Sequence, residues 1–171
     1  LAMNAGAHGG EISSRVMWIR CLNPDGKVTI LGPDDLKFAY RDCAGLKGRI
    51  ACSCGLRLTR AAASDVKAAR QAARARRIPL AGLRTAGSVF RNPPGEPAGM
   101  LLDRAGCKGL RIGGARVVDF HANIVAAESG ATASDVLALV LRMRDRVARQ
   151  CGKTLRPEIC GLESEEAQQG L

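Results

Sequence analysis

From Ser134 to Gln150 the apolar residues recur with the period of an α-helix. Val136, Leu139, Val140, Met143 and Val147 fall at i, i+3, i+4, i+7 and i+11, a single stripe. Thr132, with Asp135 three residues on, resembles a capping box with Asp in place of Glu, and Gly152 ends the segment. A helix with one apolar stripe must bury it against another layer. The preceding residues offer that layer. "RIGGARVV" (Arg111 to Val118) and "HANIVAA" (His121 to Ala127) read as paired strands, and "AGMLLDRAG" (Ala98 to Gly106) as a short helix stopped by glycine. "TLRPEICGL" (Thr154 to Leu162) reads as a last strand, and the tail 163–171 as disordered. The expected class is α+β, a small mixed sheet packed by helices.

Before residue 60 the pattern is different. "LAMNAGAHGGEI" (Leu1 to Ile12) reads as a glycine-rich loop where backbone approaches something closely. "RVMWIRCL" and "KVTIL" (Arg15 to Leu22 and Lys27 to Leu31) form a hairpin about the turn "NPDG". "PDDLKF" (Pro33 to Phe38) suits a short helix, and "RIACSCGLRL" (Arg49 to Leu58) another strand. These strands are too few to close a sheet alone, so the first part is expected to be the end of a domain whose beginning lies elsewhere. A chain that begins with Leu rather than Met fits a processed or partial product. An alanine-rich helix follows from Ser64, its expected N-cap, to Arg77. The expected domains are therefore residues 1–60 and 61–162.

Only five of the 171 residues are aromatic, so the core must be built from Ala, Val, Leu and Ile, which predicts modest stability. The net charge of +10 favours acidic partners without choosing among phosphates, nucleic acid and anionic surfaces. The densest cationic run, "KAARQAARARR" (Lys67 to Arg77), reads first as a solvated helix face. Seven cysteines include no C-x-x-C pair; Cys52 and Cys54 share a strand face without a nearby histidine, a poor zinc site. No metal is expected. The thiols read as buried and reduced, in a reducing compartment. No run of about 18 apolar residues predicts a membrane span, and no signal peptide is visible.

Six motifs then follow in series: "MNAGAHGGEI", "FAYRDC", "GSVFRNPPG", "AGMLLDRAGCKGLRIGGARV", "HANIV" and "LRPEI". Each is weak alone. Together, from about Met3 to Leu162, they resemble the UDP-N-acetylenolpyruvoylglucosamine reductase family, also called UDP-N-acetylmuramate dehydrogenase, in its shorter type II branch. The resemblance implies an NADPH-dependent flavoenzyme of peptidoglycan precursor synthesis, working with FAD on a UDP-sugar enolpyruvate in the bacterial cytoplasm. It implies that residues 1–60 are a remnant of the FAD-binding domain and 61–162 the substrate-binding domain. It assigns Ser88 as the acid that protonates the enolate left by hydride addition. Arg41 would hold the substrate carboxylate, and a protonated Glu158 would donate to the same group. Tyr40, Asn92, Arg77 and His121 match substrate-contacting positions. Asn4, Ala5, Gly6, Ala7, His8 and Gly9 match part of a flavin-contacting loop. Taken singly, Ser88 is a turn serine, Glu158 a surface acid, Arg41 an ion-pair arginine and His121 a structural histidine; only their order raises them.

The chain also departs from the family pattern. The segments that carry most of the flavin contacts are expected before the "MNAGA" loop, from a missing segment or a separate chain. Cys43 stands where serine often follows "YRD". The competing reading is an inactive, reductase-derived structural subunit of a large assembly. There the charge and the arginine-rich helix would serve a nucleic acid, with an organelle as the alternative location. No aromatic stacking platform for RNA supports it.

Overall fold

The computed structural model describes residues 1–7 and 9–159. His8, Cys160 and the expected disordered tail lie outside the described residues. The chain divides into two compact units, Leu1–Arg76 and Arg77–Leu171. The change of pattern was expected near residue 60; this division falls after the arginine-rich helix. The class is α+β, and the pairings between the described strands are antiparallel.

The first unit opens with two short strands, β1 (Gly6–Ala7) and β2 (Gly10–Glu11), which pair with each other where a loop was expected. β3 (Val16–Leu22) and β4 (Val28–Leu31) make the expected hairpin. Its turn closes because Gly26 adopts φ +80° and its N–H donates to Asn23 O at 3.0 Å. α1 (Pro33–Leu36) starts on proline, as its fixed φ allows. β5 (Phe38–Ala39) and β6 (Asp42–Cys43) form a tight hairpin with Tyr40 and Arg41 at its tip. β7 (Ile50–Leu56) completes a sheet of order β4-β3-β7. Val16, Ile19, Cys21, Leu36, Cys43 and Leu46 are its buried core.

α2 (Ala63–Ala75) buries no side chain. It starts one residue before the expected Ser64 cap. The N-cap is Ala62, which has no side chain to offer, while Ser64 Oγ lies 3.2 Å from Asp65 Oδ1 inside the first turn. The cysteines also need correction. Cys21, Cys43 and Cys107 are buried, but Cys52 is exposed and Cys54 half-buried on the edge strand β7; all six described cysteines are free thiols.

The second unit carries α3 (Ala98–Arg104), β8 (Arg111–Ile112), β9 (Ala115–Val117), β10 (Val125–Ala127) and α4 (Ala133–Cys151). The expected single strand from Arg111 to Val118 is instead a hairpin, because Gly113 and Gly114 turn the chain; the sheet order is β10-β9-β8. Both glycines are needed there. Gly113 has φ +51°, and a Cβ on it would collide with the Asp135 carboxylate. A Cβ on Gly114 would fall 2.6 Å from Ala131 Cα. The α4 stripe is buried as expected at Leu139, Val140, Met143 and Val147, against Phe90, Leu101, Leu102 and Val117.

The capping box of α4 forms. Asp135 N–H donates to Thr132 Oγ1 at 3.1 Å, and Thr132 N–H to Asp135 Oδ2 at 3.0 Å. The same carboxylate accepts Gly114 N–H at 3.2 Å, tying the hairpin tip to the helix start. These bonds, from Thr132 and then Gly114, hold the Asp135 carboxyl below its ordinary range. The strand expected over Thr154 to Leu162 is absent from its described part. Pro157 makes one isolated bridge to Phe90, and proline has no N–H with which to extend a ladder.

Candidate functional site

In the second unit, three peptide segments lie side by side around Ser88. Ser88 bridges Ile124 on one edge, and Phe90 bridges Pro157 on the other, both antiparallel. Val89 N–H donates to Asn123 O at 2.9 Å. Glu158 N–H donates to Val89 O at 2.6 Å, and Arg91 N–H to Arg156 O at 2.9 Å. "GSVF", "HANI" and "RPE", scattered in sequence, thus meet in one place. Val89 and Phe90 are buried in the core and anchor the segment from below, while Ser88 is exposed.

Ser88 opens onto a concavity of about 360 Å³ that Asn92, His121, Lys108 and Asp103 also line. Phe120 and Met100, both exposed, give it an apolar side. Asn92 Oδ1 accepts the N–H of Ala98, the first residue of α3, at 2.9 Å and so satisfies a donor at the start of that helix. His121 Nδ1 accepts Asn123 N–H at 3.2 Å, which leaves the ring's proton on Nε2. Lys108 Nζ is paired with Asp103 at 2.7 Å. A serine hydroxyl, an amide and an imidazole N–H on one concave wall form a donor-rich surface, with the Lys108 charge balanced by Asp103 beside it.

Glu158 is half-buried beside Val89, in the same segment cluster as Ser88. Arg77 is exposed at the first position of the unit. Sequence reasoning missed Asn123. It is 3% exposed, and its side chain bonds a residue 33 positions away. No local pattern marks such a contact; the motif "HANIV" was its only signal.

Arg41 and Tyr40 belong to the first unit. They occupy the tip of the β5–β6 hairpin, where Arg41 holds φ +54°. The Arg41 guanidinium carbon stands 4.9 Å from the Tyr40 ring centroid. A Cβ on Gly6 would lie 3.3 Å from Arg41 Nη1, so the "NAGA" turn and the hairpin tip are neighbours. Asn4 fixes that approach. Its buried amide donates to Ala39 O at 3.0 Å and to Glu11 Oε2 at 2.8 Å, and accepts Ser13 N–H at 3.2 Å. The Asn4 side chain is thereby committed inward, and among the described residues of this segment Ala5, Gly6, Ala7 and Gly9 carry only backbone and small side chains.

Residues 79–162 match the family model described as UDP-N-acetylenolpyruvoylglucosamine reductase, C-terminal domain. A reductase of that name from Alkalilimnicola ehrlichii is 41% identical over 93% of this chain and 54% of its own length. One from Heliobacterium modesticaldum is 40% identical over 93% of this chain and 52% of its own. The chain belongs to the UDP-N-acetylenolpyruvoylglucosamine reductase family. The crystal structure of the reductase from Thermus caldophilus superposes with a TM-score of 0.79 at 31% identity, covering 92% of this chain and 56% of that one. The chain spans about half the length of the curated relatives it matches. Among the described residues no helix is long and apolar enough to cross a membrane.

Proposed function

We propose that the chain supplies the substrate-binding and proton-donating half of a reductase acting on UDP-N-acetylglucosamine enolpyruvate in peptidoglycan precursor synthesis, in a bacterial cytoplasm. The observation that carries this reading is the seating of Ser88 on the wall of the donor-rich pocket with Asn92 and His121. Addition of hydride to C3 of the enolpyruvyl group leaves an enolate whose C2 must take a proton on one face. The Ser88 hydroxyl gives that proton: a weak acid serves because an enolate is a strong base. Asn92 and His121 orient the UDP-sugar in the pocket, with Arg77 on its diphosphate. Each unit adds a candidate of its own: the Arg41 guanidinium offers two parallel N–H bonds suited to a carboxylate, and Glu158 in its protonated form would be a donor to the charge as it develops.

The chemistry required of the cofactor is hydride delivery, which a flavin reduced by NADPH would supply when bound. The Asn4–Ala7 turn and Gly9 bear no bulky side chain, and the space over Gly6 is bounded by the Arg41 guanidinium. Ala5, Ala7 and Gly9 would hold such a group through main-chain N–H and C=O groups, beside a Gly6 already crowded by Arg41, Glu11 and Gly10. The remaining contacts would come from a polypeptide equivalent to the other half of the relatives, joined to this chain or separate. His8 lies outside the described residues. The test is calorimetric titration of the chain with UDP-N-acetylglucosamine enolpyruvate, with Ser88→Ala as comparison. Saturable binding that Ser88→Ala leaves nearly intact, together with loss of proton delivery in the flavin-loaded enzyme, is the expected result. No binding by the wild-type chain would overturn the reading.

A further inference from the structure

We infer that Asn123 is the positioning residue for Ser88. The inference rests on the reading of Ser88 as proton donor. The Asn123 carboxamide lies against the Phe90 peptide like a short piece of neighbouring strand. Phe90 N–H donates to Asn123 Oδ1 at 2.9 Å, and Asn123 Nδ2 donates back to Phe90 O at 2.8 Å. The main-chain O of Asn123 takes Val89 N–H at 2.9 Å. The orientation is forced, because the Phe90 N–H only donates and its C=O only accepts.

On the other edge Glu158 N–H serves Val89 O at 2.6 Å. Both N–H and both C=O groups of Val89 and Phe90 are therefore engaged, three of the four by Asn123. Ser88 is the next residue upstream. Before it stands Gly87 at φ +86°, whose N–H donates to Thr85 Oγ1 at 3.2 Å. The Ser88 bridge to Ile124 shares its register with the Val89–Asn123 bond, so the bonds of Asn123 set much of the position of the Ser88 hydroxyl. Asn123 itself lines the pocket beside Ser88, and its N–H orients the His121 ring. One buried residue, through its side chain and its main chain, consequently ties together the Ser88 segment and His121. Proton transfer tolerates little displacement of the donor, so a loosened Ser88 would act slowly and on either face.

Asn123→Asp keeps the size but sets a carboxylate oxygen against the Phe90 carbonyl. Amide hydrogen exchange of the free chain reads the consequence without ligand. Exchange at Val89 and Phe90 should rise about tenfold or more, while α4 keeps its protection. Val140→Ala, a core truncation away from the pocket, should instead speed exchange across the unit. If Asn123→Asp leaves Val89 and Phe90 protected, or loosens them no more than α4, the inference falls. Should Asn123→Asp fail to fold, Asn123→Ser is judged by the same ratio. In the flavin-loaded enzyme the second readout is the configuration of the deuterated C2 centre formed in D2O. A mixture from the Asn123 variant supports positioning, and a single configuration at reduced yield contradicts it. Absence of substrate binding by the wild type would sink the proton-donor reading alone, and the exchange ratio would still decide whether Asn123 seats the segment.

Discussion

In Arg77–Leu171 the apolar stripe of α4 meets α3, Phe90 and the β10-β9-β8 sheet, and sixteen buried residues form one core. In Leu1–Arg76 six buried residues do the same work, and the β4-β3-β7 sheet leaves Val28, Ile30 and Ile50 at 60%, 60% and 65% exposure. The candidate residues are held accordingly. Ser88 is seated by buried neighbours and a saturated set of peptide bonds. Arg41 is seated by a two-residue turn, with one buried asparagine, Asn4, supporting the loop beside it. The second unit thus gets its precision from packing and the first from local backbone geometry.

The contrast breaks if truncation costs the two regions alike. Phe90→Ala removes a ring that is 1% exposed and should lower stability by about 3–5 kcal/mol in urea unfolding. Ile30→Thr, on the open sheet face, should stay within about 0.5 kcal/mol. A large loss from Ile30→Thr would mean that this face is covered in solution. Next in size comes the junction of hairpin and helix. Gly114→Ala should cost about 1–3 kcal/mol, because the atoms it meets are backbone and cannot step aside. Thr132→Ala should cost about 1 kcal/mol by removing half of the capping box. Thermal unfolding of both variants checks the order.

The smallest effect is electrostatic. Glu128 accepts hydrogen bonds from Arg111 at 2.7 Å and from Arg116 at 3.0 Å. Those bonds, Arg111 first, hold its carboxyl below the ordinary value of 4.5. Its folded value is depressed, so its contribution is complete above the ordinary carboxylate range and is lost as pH falls through the lowered value. Glu128→Gln should therefore be less stable than wild type at neutral pH, by an amount that shrinks on acidification. The lowered carboxylates among the described residues, Glu128 and Asp135, both lie in the second unit. Residue-resolved exchange on acidification should loosen the Glu128 and Asp135 surroundings before the first unit, which would sharpen the contrast.

What the sequence made legible was local. The α4 stripe, its capping box and the β3–β4 hairpin are set by neighbours a few residues apart, and periodicity and turn chemistry read them. The glycine pair at 113–114 was read as strand because alternation around it hid the turn, and the collision with Asp135 that requires it comes from a helix twenty residues on. Ser64 looked like a cap because cap preference knows only residue type. The strand expected at "TLRPEI" foundered on Pro157, although Arg156 and Glu158 still bond Arg91 and Val89 as strand neighbours would. The site was legible only as an order of motifs. That "GSVF", "HANI" and "RPE" touch, and that Asn123 joins two of them, is information held in contacts across tens of residues.

Arg41 carries a cost of a different kind. A non-glycine residue at φ +54° gives up about 1–2 kcal/mol that glycine would not. A library screened for heat resistance alone would drift toward glycine at position 41 and discard the guanidinium. Selection for a sturdier chain and selection for a charged hairpin tip therefore pull that one codon in opposite directions.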